Sequence, residues 1–161
     1  MESMKRILAA GSIALVMTLA APAKASADLT GFLGLNATPK SRSVKGFAIG
    51  INVILIGFEF EFANTVEDPL KLAPSLKTYS FNGAIMTPTR LQLYVTAGGG
   101  LYRERLGTES TTSFDTNIGG GIKMPLLGPL RLRIDYRLFT LHGTPLYKNP
   151  QRFYAGVNMS F

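Results

Sequence analysis

The last ten residues, 152–161, read R-F-Y-A-G-V-N-M-S-F, and this alternation limits what the chain can become more than any other feature. Phe153, Ala155, Val157, Met159 and Phe161 share one parity, and Arg152, Tyr154, Gly156, Asn158 and Ser160 share the other. A period of two belongs to an extended strand with one apolar and one polar face. The same signal recurs upstream. It predicts strands at about residues 30–37, 45–53, 58–62, 77–86, 91–102, 114–124 and 130–138, which makes eight with the last. It is clearest where Phe58, Phe60 and Phe62 interleave with Glu59 and Glu61, and where Leu130, Leu132, Ile134, Tyr136 and Leu138 interleave with Arg131, Arg133, Asp135 and Arg137.

The connections at about 38–44, 55–57, 64–76, 87–90, 103–113, 125–129 and 140–151 alternate long and short. Prolines and acidic residues in 64–76 argue against a strand there. Eight antiparallel strands put both ends of the barrel segment, and the three short turns, on one side.

Residues 1–27 read as a cleaved secretory signal, with Lys5 and Arg6 ahead of an apolar run at 7–20, Pro22 after it, and Ala25-Ser26-Ala27 before the cleavage point. The apolar run is shorter than the ~20 residues of a membrane helix. Removing this segment lowers the formal charge from +7 to +5. The mature domain is then 28–161, with no other stretch apolar enough to span a membrane as a helix. If it enters a membrane, it does so as a closed barrel. The chain has no cysteine, so disulfides, thiolate metal sites and lipid attachment to cysteine are excluded. The basic residues form no nucleic-acid motif, and no cofactor or metal site is expected.

Which face points out follows from composition. The polar faces of the second, fourth and fifth strands carry Ala48, Gly50, Asn52, Ser80, Asn82, Gln92, Tyr94, Thr96 and Gly98, and no charge. A water-facing surface is usually about a quarter charged or more, so this face suits a packed lumen. Glu59 and Glu61 stand four strands away from Arg131, Arg133, Asp135 and Arg137, which is diametrically opposite in a ring of eight. Buried charges must be paired, so a salt-bridge network across the lumen is expected. The inverse arrangement, a soluble periplasmic calyx with an apolar interior for a hydrophobic ligand, is the alternative.

The eight strands, the alternating connections and the final strand ending on Phe161 together resemble the small OmpA- and OmpX-like outer-membrane β-barrels of Gram-negative bacteria. The resemblance implies an all-β, eight-stranded, antiparallel up-and-down transmembrane barrel in the outer membrane, exported through the signal segment. It also implies that Phe153, Ala155, Val157, Met159 and Phe161 form the signal read by the barrel-assembly machinery. Outer-membrane lipid and lipopolysaccharide are the expected partners, and a monomer the expected state.

An eight-stranded interior is just wide enough for side chains to fill, so a wide pore is not expected, though a narrow small-solute channel is an alternative. Gly98-Gly99-Gly100 and Gly119-Gly120-Gly121 lack the following helix of a phosphate loop. They read as room for large lumen side chains. Glu59 and Glu61 lack a nucleophile or metal ligand for acid–base chemistry. The leading expectation is therefore a non-enzymatic structural or surface-interaction barrel. Lipid A deacylases, which are also eight-stranded barrels, offer an enzymatic alternative: His142 would be the base and Thr144 would stand at the nucleophile position. No acidic residue follows to orient His142. Lys40, Arg42 and Lys45, in and beside the first outer connection, are candidate contacts for lipopolysaccharide phosphates.

Overall fold

A computed structural model describes residues 25–161. Residues 1–24 of the predicted signal segment lie outside the described residues. Ala25–Ala27 are the first residues of a paired strand.

Eight strands form the ring: β1 (Ala25–Asn36), β2 (Arg42–Val53), β3 (Ile56–Thr65), β4 (Ser75–Met86), β5 (Gln92–Leu106), β6 (Glu109–Leu127), β7 (Leu130–Leu141) and β8 (Gln151–Ser160). Each pairs antiparallel with its neighbour in sequence, and β1 pairs with β8, so the barrel is closed and leaves no sheet edge. Asp28 lies opposite Ser160 and Asn36 opposite Arg152 across that seam.

Period-two alternation sorts the side chains as the sequence implies. Leu33, Ile49, Phe58, Phe81, Val95, Ile118 and Phe153 face outward and are exposed, while Asp28, Glu61, Asn82, Tyr94, Asp115, Arg133 and Tyr154 face inward and are buried. The apolar side is the outside. That excludes the soluble calyx, because water would have to cover a belt of Leu, Ile, Val and Phe while the charges sat within. Hydrocarbon is the solvent such a belt matches, and closed barrels satisfy every backbone group there.

Three connections differ from the sequence reading. Residues 103–113 are no long loop: β5 and β6 continue as a tall hairpin to a two-residue turn, Gly107-Thr108, with Gly107 at φ +62°. Threonine, which is β-branched, is at home in a strand, and above the membrane both faces are polar, so alternation disappears while pairing persists. The alternation of long and short connections therefore breaks at the third outer position. At the other end β6 runs on through Pro125, with a bulge at Leu126, and turns only at Gly128-Pro129. The first outer connection is shortened because β2 begins at Arg42. The long second connection holds a 3-10 turn, Pro69–Lys71.

Candidate functional site

The middle of the barrel interior holds an ionic cluster drawn from three strands. Glu59 and Glu61 come from β3, Arg133, Asp135 and Arg137 from β7, and Arg152 from β8. Arg133 forks onto Glu59, with Nη2 to Oε1 at 3.0 Å, and also reaches Asp135 Oδ2 at 3.0 Å. Arg137 contacts Asp135 at 3.0 Å, Glu59 at 3.0 Å and Glu61 at 3.1 Å. Arg152 pairs with Glu61 and donates to Thr78 Oγ1 at 3.2 Å, spanning from β8 to β4. Three carboxylates thus meet three guanidiniums, and the cluster is neutral. Two tyrosines complete it: Tyr94 donates to Asp135 and accepts from Arg133 Nε at 2.8 Å, while Tyr154 donates to Glu61 Oε2 at 3.1 Å.

Five of the six residues singled out from the sequence meet here. Arg131 does not; it lies one turn of the pleat nearer the short-turn end and donates to Gln92 at 3.2 Å. Arg152 takes part instead. Its parity marked it as inward-facing, but as the lone charge on a strand of small and aromatic residues it gave no sign of a partner. A separate buried pair, Lys123 with Asp28, sits lower in the lumen and was also not singled out. The glycine runs make space for these side chains. A Cβ on Gly119 would lie 2.8 Å from Arg137 Cγ, and one on Gly121 2.6 Å from the Tyr94 hydroxyl.

The remaining space is small. The cavity below the cluster, beside Asp28, Glu59, Tyr94, Lys123 and Arg133, has a volume of about 20 Å³, room for about one water. Above the cluster Leu76, Tyr102, Phe139 and Leu141 pack into an apolar lid. On the β4–β6 wall, Ser80, Asn82, Asp115 and Asn117 are buried, with side-chain atoms that have no protein hydrogen-bond partner. The register places Gly98 between Asn82 and Asn117, and Gly100 between Ser80 and Asp115.

The outer rim is tied together by side chains. Arg42 turns inward and donates to the carbonyls of Thr38 (2.9 Å), Val66 and Pro74, joining the first and second outer connections. Its buried position corrects its assignment as a headgroup contact. Glu67 accepts from the Gly107 amide at 2.7 Å, tying the second connection to the tall hairpin. Glu104 accepts from the Leu146 amide at 2.9 Å, tying the last connection to β5. Lys71 bonds Asp68 at 2.9 Å, which holds the Asp68 carboxyl below the usual carboxylate range.

His142 and Thr144 are both exposed, and among the described residues no hydrogen bond joins their side chains. The His142 ring stacks outward on Phe114 (centroids 5.5 Å apart), and Nε2 lies 3.3 Å from Thr116 Oγ1. Among the described residues no carboxylate bonds His142. Thr144 borders a different cleft, with Glu104, Leu106, Glu109 and Leu146. Lys40 and Lys45 are exposed. Phe153, Ala155, Val157, Met159 and Phe161 line the outward face of the final strand and its end.

No protein-family model and no curated protein matches the chain. Solved structures do. The N-terminal β-barrel domain of Pseudomonas aeruginosa OprF is similar at a TM-score of 0.64 with 16% identity, covering 84% of this chain and 97% of that one. Neisserial surface protein A is similar at 0.57 with 18% identity, covering 85% and 96%. The outer membrane enzyme PagL is similar at 0.53 with 10% identity, covering 82% and 98%. In fold, then, the chain is one of the small eight-stranded outer-membrane β-barrels.

Proposed function

We propose that the protein is a non-catalytic barrel of the bacterial outer membrane, exported there by its N-terminal segment. In this reading it is closed to solutes and acts through its outer rim. The observation that carries the reading is the neutral ionic plug. With three guanidiniums and three carboxylates bonded across the lumen, a solute would have to break several buried charge pairs to pass, at a cost of several kcal/mol each. The useful surface is then the outer end. There Arg42, Glu67 and Glu104 hold three connections and the tall hairpin in one arrangement before any partner arrives, which lowers the ordering cost of binding. A structural or surface-contact role suits such a rim.

The esterase reading is less well supported by the geometry. A catalytic imidazole needs an orienting partner and a nucleophile within hydrogen-bond reach, whereas His142 lies on the outside of β6 against Phe114 and Thr144 borders another cleft.

Folded protein purified from the outer-membrane fraction tests both points. It is expected to resist cold detergent, to change mobility on boiling and to give a silent trace in a planar bilayer. His142→Ala is expected to leave the behaviour of the protein unchanged. Steady single-channel conductance from the wild type would overturn the closed barrel. Lipid A ester hydrolysis by the wild type, abolished by His142→Ala, would overturn the non-catalytic reading.

A further inference from the structure

The outward face of the barrel is not uniform around its outer end. Strand register places Lys45 opposite Asn64, Asn64 opposite Lys77, Lys77 opposite Arg103 and Arg103 opposite Thr112. All five side chains have the parity of the outward aromatic residues, so they form one row across β2 to β6. One pleat repeat nearer the membrane middle, ~7 Å along the strands, lies a second row: Phe47, Phe62, Tyr79, Leu101 and Phe114. Its first three members touch, with ring centroids 5.7 Å apart for Phe47–Phe62 and 5.1 Å for Phe62–Tyr79. Aromatic rings of this kind mark the boundary between hydrocarbon and headgroups. The cation row therefore sits at headgroup depth.

Lys77 and Arg103 face each other directly across β4 and β5. Like charges in that position repel, and among the described residues neither has an acidic partner, nor does Lys45. Arg105, one repeat higher, has only a loose contact with Glu67, at 3.7 Å. Lys77, Arg103 and Arg105 line a cleft of about 420 Å³ together with Asn64, Thr65, Val66, Ser75 and one acid, Glu67. The Glu67 carboxylate accepts from the Gly107 amide and lies beside Arg105 rather than Lys77 or Arg103, so three cations face one carboxylate. On the far side of the barrel, the outer ends of β7, β8 and β1 present Leu138, Thr140, Gln151 and Leu35 and no charge.

We propose that this cleft binds the phosphate group of an outer-leaflet lipid. Lys77 and Arg103 are its central contacts, Lys45 and Arg105 flank them, and the wall below Tyr79 takes the acyl chains. An anion between Lys77 and Arg103 turns a repulsive pair into two attractions. Lysine and arginine both suit phosphate oxygens. The aromatic row places the site where a lipid phosphate lies, which favours a membrane lipid over a soluble anion. The site rests on the reading of the barrel as a membrane protein, which the boiling-dependent gel shift tests by itself.

The test uses the folded full-length barrel in neutral detergent micelles, titrated with phosphatidic acid, with phosphatidylcholine and with water-soluble inositol hexakisphosphate, and read by native mass spectrometry. Phosphatidic acid is expected to bind at least tenfold more tightly than phosphatidylcholine. The variant Lys77→Gln/Arg103→Gln is expected to lose that preference, and Lys148→Gln, in the last outer connection, to keep it. Because the substituted side chains are exposed, the variant should retain its boiling-dependent shift. Added salt should weaken the preference. Equal binding of the two lipids, or an unchanged preference in the Lys77/Arg103 variant, would overturn the site. Tight binding of inositol hexakisphosphate with no lipid preference would overturn its assignment to a lipid.

Discussion

Arg137 is the most informative single position. Its guanidinium is buried and touches three carboxylates at 3.0–3.1 Å. At that separation one pair is worth about 5 kcal/mol with an effective dielectric of 20, before desolvation is subtracted. Arg137→Met leaves three carboxylates facing only Arg133 and Arg152. Removing one partner of a buried ionic group costs about 3–5 kcal/mol, because the remaining charge is stranded. Asp135→Asn should cost a similar amount, stranding a guanidinium instead. The double variant keeps Glu59 with Arg133 and Glu61 with Arg152, so it is neutral again, and Tyr94 can donate to the new amide oxygen. Its loss should therefore be about 2–4 kcal/mol rather than the sum, a coupling of at least about 2 kcal/mol. Urea unfolding in lipid vesicles measures this, with the folded fraction read from mobility on unboiled gels. A single variant costing under about 1 kcal/mol, or a strictly additive double, would refute the view that the plug is held by charge balance.

Three further outcomes can be checked with modest effort. Ile54, in the two-residue turn between β2 and β3, has φ +58°, a region hostile to a β-branched residue; Ile54→Gly should raise stability by about 0.5–1 kcal/mol in the same urea assay, and a loss would argue that Ile54 packing outweighs the strain. Asp115 is fully buried, and neither carboxylate oxygen has a protein donor; Asp115→Asn removes a buried charge without changing shape and should stabilise by about 1–2 kcal/mol, whereas destabilisation would mean that the charge is being used. Asp68 is depressed by its bond to Lys71, so its contribution to ordering the second outer connection is present above the unfolded-state pKa and fades as pH falls through the lowered value. A carbon-13 NMR titration should therefore give Asp68 a lower midpoint in the wild type than in Lys71→Ala, and identical midpoints would contradict the pairing.

The faces of this barrel were readable before the structure because lipid and lumen impose opposite chemistries on alternate residues. Phe58, Phe60 and Phe62 could not share a side with Glu59 and Glu61 in any arrangement that satisfied both. Where that opposition ends, legibility ended too. Residues 103–113 rise beyond the aromatic row into the headgroups and water, so Thr111, Thr112 and Ser113 look the same on either face and resemble a loop. Arg42 was misplaced because the strand starts at Arg42, three residues before the point where apolar alternation becomes visible, so a residue read as loop is an inward-facing strand position. Arg152 and the Lys77–Arg103 pair were invisible for another reason: parity gives the side of the sheet, but only register gives the neighbour. Register here is fixed by turn lengths and by the bulge at Leu126, which the sequence marks only with glycine and proline.

The ionic plug also constrains the order in which such a molecule can be put together. Its bonds join residues 74, 78 and 91 positions apart, Arg133 to Glu59, Arg137 to Glu59 and Arg152 to Glu61. No hairpin of adjacent strands contains one of these pairs. Contacts so remote in sequence form only after the intervening chain has closed its own loops. Until β8 has come round to β1, each of these charges needs water, and so the unfinished interior must stay wet. The outside can meet lipid strand by strand, while the inside can dry only once the ring is shut.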